Sequence, residues 1–188
     1  MRSPQKDKDV GLILKAMAFA ASKHRDQRRK DAEASPYINH PIALADILWN
    51  EGGVRDPVVI AAALLHDTIE DTNTTNGELR RMFGAKVAGI VAEVTDDKRL
   101  PKERRKELQI EHAAGLSKNA KLVKLADKIC NLRDVLASPP KDWSIDRKRE
   151  YFDWSKKVID QIRGTNSKLE RRFDRLYRKR TWTARRPS

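Results

Sequence analysis

An all-α fold, built as one helical bundle, is what this sequence predicts, and three observations predict it. Apolar residues recur with a helical period along nearly the whole chain. Alternating apolar–polar runs, the mark of half-buried strands, are nearly absent. No repeat, low-complexity linker or shift in composition divides the 188 residues, a length that one hydrophobic core can serve.

The elements follow in order. Val10, Ile13, Leu14, Met17, Ala18 and Ala21 keep the i, i+3, i+4, i+7 spacing of one buried face and predict the first helix. Residues 28–38, "RRKDAEASPYI", leave that period and are the candidate for one short β-hairpin. "PIALADILWNEGG" opens with Pro41 in a first-turn position and stops at Gly52 and Gly53. Asp56 and Pro57 are a strong start signal for the next helix. Thr75 with Glu78 fits a capping box. "AKVAGIVAEVTDD", "PKERRKELQIEHAAGL", "AKLVKLADKICNLRDVLA", "RKREYFDWSKKVIDQI" and "SKLERRFDRLYRKR" each read as further helices.

Composition narrows the functional classes. A single cysteine, Cys130, rules out an internal disulfide and a Cys-based zinc cluster. The opening "MRSPQKDKDV" has no signal-peptide core and no apolar run reaches membrane-span length, so a cytoplasmic protein with no membrane partner is expected. The net charge is +13. Ten basic residues oppose two acidic ones between 163 and 188, which places +8 of it there. No nucleic-acid motif accompanies that charge, so a solvated basic helix and a flexible basic tail at 181–188 are favoured over a nucleic-acid partner. The remaining charge suits a polyanionic small molecule.

The chemistry concentrates in "ALLHDTIEDT". Eight apolar residues at 58–65 run without a break into His66, Asp67, Glu70 and Asp71. On a continuous helix, with His66 at zero, Asp67 falls near 100°, Glu70 near 40° and Asp71 near 140°, so all four share one side. Like charges gathered at the end of a buried helix need a counter-ion, and a divalent cation is the simplest. His66 and Asp67 offer one nitrogen and one oxygen to it. His40, held between Pro36 and Pro41, and Asp127, a lone acid after Leu122, Val123, Leu125 and Ala126, are candidates for the rest. Two histidines with two aspartates suit Mn²⁺, Fe²⁺ or Zn²⁺ better than Ca²⁺ or Mg²⁺. Glu70 and Asp71 are then spare carboxylates, placed to orient or deprotonate a water. Arg29 and Lys30, Asn131 one turn after Asp127, and the Arg147–Tyr151 pair fit an anionic substrate. His24, His112, Cys130, Trp49, Trp143 and Trp154 read as packing residues.

Five segments in order carry a resemblance: "HRDQRRKDAEASPYINHP", "AALLHDTIEDT", "VTDDKRLPK", "KLVKLADKICNLRD" and "EYFDWSKKVI". Together they resemble the HD-domain hydrolase of RelA/SpoT proteins, in its stand-alone form, the small alarmone hydrolases and metazoan SpoT homologues. The resemblance covers residues 8–180 as one HD-domain helical bundle. It implies a single Mn²⁺ held by His40, His66, Asp67 and Asp127. It implies hydrolysis of the 3′-pyrophosphate of (p)ppGpp, giving GDP or GTP plus pyrophosphate. Glu70 and Asp71 match the pair that activates the attacking water. Arg29 and Lys30 match contacts to base and phosphates, Asn131 a nucleotide contact, and Arg147 and Tyr151 substrate-phosphate contacts. With no synthetase region after Ser188, the expectation is an enzyme that degrades alarmone and does not make it. One departure is Ala34, near a position where the family often has glycine; alanine restricts that backbone. The alternatives are a related phosphohydrolase acting on (p)ppApp or NADPH, and a nucleic-acid-binding module with a vestigial site. The motifs are silent on oligomeric state.

Overall fold

The computed structural model describes residues 4–180, so the 181–188 tail lies outside the described residues. Among the described residues nine α-helices follow one another: α1 Pro4–Lys23, α2 Asn39–Asp46, α3 Pro57–Leu65, α4 Thr68–Asp71, α5 Asn76–Val94, α6 Lys102–Ala113, α7 Lys118–Ala137, α8 Ile145–Asp160 and α9 Ser167–Arg178. A π-helical turn, Ile47–Glu51, prolongs α2.

Two helices form the middle of the bundle. In α3, Val59, Ile60, Ala61, Ala62, Ala63, Leu64 and Leu65 are all buried. A helix that is apolar all round must be covered all round. The cover comes from α1, α2, α5 and α7. The second central helix, α7, buries Leu122, Val123, Leu125, Ala126, Ile129, Leu132 and Val135. The helices α8 and α9 close over it with Phe152 and Phe173, both fully buried. Of the residues of interest, Asp127 lies on α7, His66 and Asp67 follow directly on the end of α3, and His40 comes from α2.

The ends of the helices follow local chemistry. Asp56 accepts the Val58 N–H at 2.9 Å with Pro57 in the first turn. Thr75 accepts the Glu78 N–H at 3.1 Å. Ser117, Ser144 and Asn166 cap α7, α8 and α9 in the same way. The two helical stretches expected around residue 84 are joined in α5 but meet at a kink, where Gly84 has φ 86° and ψ 166°. Only glycine adopts that conformation without strain.

Two expectations are corrected. Residues 28–38 form one isolated antiparallel bridge, Arg28 to Pro36, in place of a hairpin. The reach is too short for a ladder: Asp31 caps the turn through the Ser35 N–H at 3.0 Å, and Ala34 sits at φ 50°. The buried face of α1 is also rotated from the one expected. It buries Ala16 and Ala20 against α3, while Val10 and Leu14 are 55% and 58% exposed. Two small alanines let the helices approach closely. Val10 and Leu14 are left on the shoulder of an apolar groove shared with Met17, Ile42 and Trp49.

Candidate active site

The helix expected over 63–72 is interrupted at its chemical centre. The helix α3 stops at Leu65, Asp67 turns at φ −96° and ψ −2°, and α4 begins at Thr68. Side chains drive the break. His66 Nδ1 donates to the Ala63 carbonyl at 2.8 Å, and Thr68 Oγ1 donates to the Leu65 carbonyl at 2.7 Å. Both residues are buried, and buried polar atoms need partners.

This arrangement aims His66 Nε2 inward. It lies 2.8 Å from Asp67 Oδ2, at an angle unsuited to a hydrogen bond, and is buried with no hydrogen-bond partner. From α2, His40 Nε2 comes within 3.9 Å of Asp67 Oδ2 and 3.3 Å of Asp127 Oδ1. Donor atoms of His40, His66 and Asp67 all lie within 4.8 Å of one another. The Tyr37 hydroxyl donates to Asp67 Oδ2. Asn131 donates to Asp127 Oδ1 at 2.6 Å, and Lys128 Nζ is 3.3 Å from Asp127 Oδ2.

Charge balance explains how this cluster stays ionised. Burial alone would raise Asp67, but the His66 and His40 imidazoles outweigh it and hold the carboxyl below its usual range. Burial would likewise raise Asp127, while Lys128 and His40 bring it well below that range. Burial would lower His66; the adjacent Asp67 carboxylate wins and holds it at about 9. Two ionised carboxylates, two inward-facing imidazoles and a buried nitrogen without a hydrogen bond form a donor set that can hold a divalent metal ion.

The two neighbouring acids differ. Among the described residues Glu70 accepts only the Asp96 N–H at 3.2 Å, with Arg105 Nη1 3.7 Å away. Burial, then the Asp96 and Asp67 charges, pushes its carboxyl up to about 7. Asp71 is anchored: it accepts from Gln27 Nε2 at 3.1 Å and pairs with Lys98. Both line a polar pocket of about 190 Å³ together with the four clustered residues.

That pocket opens into a broader trough. One arm of about 480 Å³ is lined by Arg29, Lys30, Asn131, Trp143 and Tyr151. A second of about 620 Å³ adds Lys102, Arg105, Lys106, Arg147 and Trp154. Arg29 pairs with Asp134 and lies over the Tyr37 ring. Arg147 lies over Trp143 at 4.9 Å. Tyr151 stands between Trp143 and Trp154, at 5.2 and 5.4 Å. Trp143 and Trp154, read from sequence as packing, are therefore walls of the trough. Tyr37, Gln27, Lys98 and Arg105 also line the site without standing out in the sequence. Tyr37 had a signal, three residues before His40; the others come into place only through folding.

A family model described as "HD domain" matches residues 16–153. A Xenopus tropicalis protein named guanosine-3′,5′-bis(diphosphate) 3′-pyrophosphohydrolase MESH1 is 57% identical over 169 residues, covering 90% of this chain and 94% of that protein. The chain belongs to the MESH1 family of HD-domain hydrolases. The Homo sapiens member is 54% identical over 175 residues, covering 93% of this chain and 98% of its own length. A solved structure described as a metazoan ortholog of SpoT, which hydrolyses ppGpp and plays a role in starvation responses, matches with a TM-score of 0.88 and 48% identity. That match covers 90% of this chain and 96% of the other. Among the described residues of this MESH1-family chain, no helix is long and apolar enough to cross a membrane.

Proposed function

We propose that this chain is a Mn²⁺-dependent 3′-pyrophosphohydrolase of guanosine alarmones, converting ppGpp to GDP and pppGpp to GTP with release of pyrophosphate. The supporting observation is the convergence of His40, His66, Asp67 and Asp127 at the floor of a basic, aromatic trough. The activity for which the relatives are named agrees with that arrangement.

His40, His66, Asp67 and Asp127 are the residues that would hold the ion. When bound, Mn²⁺ supplies Lewis acidity to a phosphoryl oxygen and makes a water more acidic. Glu70, with a carboxyl near neutrality and few partners of its own, takes the proton of the attacking water. Asp71, fixed by Gln27 and Lys98, orients that water. Attack at the phosphorus on O3′ breaks the P–O3′ bond, and the freed 3′-oxygen acquires a proton. Arg29 and Lys30 meet the base and phosphates, Arg147 and Tyr151 contact substrate phosphate, the cations offsetting its charge, and Asn131 positions the nucleotide. Residues 8–180 form the catalytic domain of this reading.

The test is pyrophosphate release by the metal-stripped full chain with Mn²⁺ added back, offered ppGpp, ppApp and NADPH in parallel, with Glu70→Ala as control. Mn²⁺-dependent release from ppGpp, absent in Glu70→Ala, is expected. Release confined to ppApp, or inorganic phosphate from NADPH alone, would replace the substrate. Silence on all three would overturn the activity.

A further inference from the structure

His40 faces two ways. Its Nε2 meets Asp127 and Asp67, while its Nδ1 lies 3.3 Å from Cys130 Sγ. Cys130 Sγ is in turn 4.0 Å from Asp134 Oδ2, one turn along α7. Donor atoms of His40, Cys130 and Asp134 all lie within 4.8 Å of one another. A tetrahedral ion with ordinary metal–sulfur and metal–nitrogen bonds separates its ligand atoms by about 3.5 Å, and these separations bracket that value. One cysteine cannot build a Cys-rich zinc cluster, but it can supply the soft donor of a mixed N/S/O set. There is also a way in. Cys130 is buried, but the Asp134 side chain is 43% exposed in the wall of the trough.

We infer that His40 Nδ1, Cys130 Sγ and Asp134 Oδ2 form a second metal site, selective for thiophilic divalent cations such as Zn²⁺ or Cd²⁺, whose occupancy is incompatible with an ion on His40 Nε2. The antagonism follows from the imidazole. A neutral ring has one lone pair available to a metal, on whichever nitrogen lacks the proton. Binding at Nδ1 moves that proton to Nε2, the nitrogen turned toward Asp67 and Asp127. Cys130 loses its thiol proton to solvent as the sulfur–metal bond forms. Asp134 exchanges the Arg29 guanidinium for the ion. A thiophilic cation thereby disables the first site and releases Arg29 from its anchor. The coupling to turnover rests on the activity proposed above; the site itself does not.

The experiment uses the purified full chain loaded with Mn²⁺ and titrated with Cd²⁺. Three signals are followed: thiolate-to-cadmium charge-transfer absorption, free Mn²⁺ by electron paramagnetic resonance, and turnover of ppGpp. In the wild type the absorption band saturates with a single Cd²⁺, and Mn²⁺ release and loss of turnover track it. In Cys130→Ser the band disappears, and the Cd²⁺ needed for half-maximal Mn²⁺ release rises at least about tenfold. Asp134→Asn, at the rim of the site, keeps the band but weakens it by a similar factor. A wild type without the band, or a Cys130→Ser variant equally sensitive to Cd²⁺, would overturn the inference. If ppGpp is never turned over, the proposed function fails, while the band and the Mn²⁺ release still decide the second site.

Discussion

Replacing Glu70 with glutamine should stabilise the ion-free protein while abolishing turnover. The carboxyl is held at about 7 in the fold against an ordinary 4.5. Below 4.5 it is protonated whether the chain is folded or not, and costs nothing. As pH rises to 7 the unfolded chain sheds this proton and the folded chain keeps it, so stability falls. Above 7 the loss is complete, about 3 kcal/mol at 1.36 kcal/mol for each unit of difference. The side chain is 18% exposed, so solvent screens little of this. Glutamine keeps an oxygen for the Asp96 N–H and never ionises. With an unfolding entropy of roughly 2.1 cal/mol/K per residue, the gain at pH 8 corresponds to about 8 °C in Tm. The assay is scanning calorimetry of metal-stripped wild type and Glu70→Gln at pH 5 and pH 8. The gain should be large at pH 8, small at pH 5, and reduced by Mn²⁺, which offsets the same negative charge in the wild type. A variant no more stable than wild type at pH 8, or equally stabilised at both pH values, would refute the reasoning.

Three further outcomes are expected. Asp127→Ala or His66→Ala should lower Mn²⁺ affinity by more than about 100-fold in calorimetric titration, exceeding the loss typical of an outer partner, and turnover should vanish with it. Tyr37→Phe removes the hydroxyl that donates to Asp67 and should weaken Mn²⁺ binding about 10- to 100-fold with little change in Tm. Phe173→Ala opens a void behind α7, where the ring is fully buried; about 3–5 kcal/mol should be lost, or roughly 10 °C in Tm.

Most of the architecture could be read from local patterns because local chemistry sets it. Asp56 with Pro57 and Thr75 with Glu78 cap the helices that their spacing announces. The break between α3 and α4 could not be read, since "LLHDTIED" keeps a helical period throughout. It appears only when the His66 and Thr68 side chains take up backbone carbonyls in a buried setting. The face of α1 departs from its spacing for a related reason. Val10 and Leu14 look like core residues by spacing, but Ala16 and Ala20 set how closely α1 can approach α3. At the site, short motifs delivered His40, the 66–71 group and Asp127 as candidates. The partners that anchor Asp71 lie far from it in sequence, Gln27 by 44 residues and Lys98 by 27. Likewise the Trp143–Tyr151–Trp154 ladder becomes a wall only when α8 packs beside α6.

The contact between His66 and Asp67 has a consequence for how an ion is taken up. The Asp67 carboxylate beside it raises His66 above the ordinary imidazole range, so the ion-free pair favours the protonated ring. A proton already serves as the local counter-ion. Loading a divalent cation is therefore an exchange, in which the imidazolium gives its Nε2 proton to the buffer. The measured heat of loading should then follow the ionisation enthalpy of whichever buffer receives that proton. Acid would drive the exchange backwards, so acidification alone, with no chelator, would return the ion to solution.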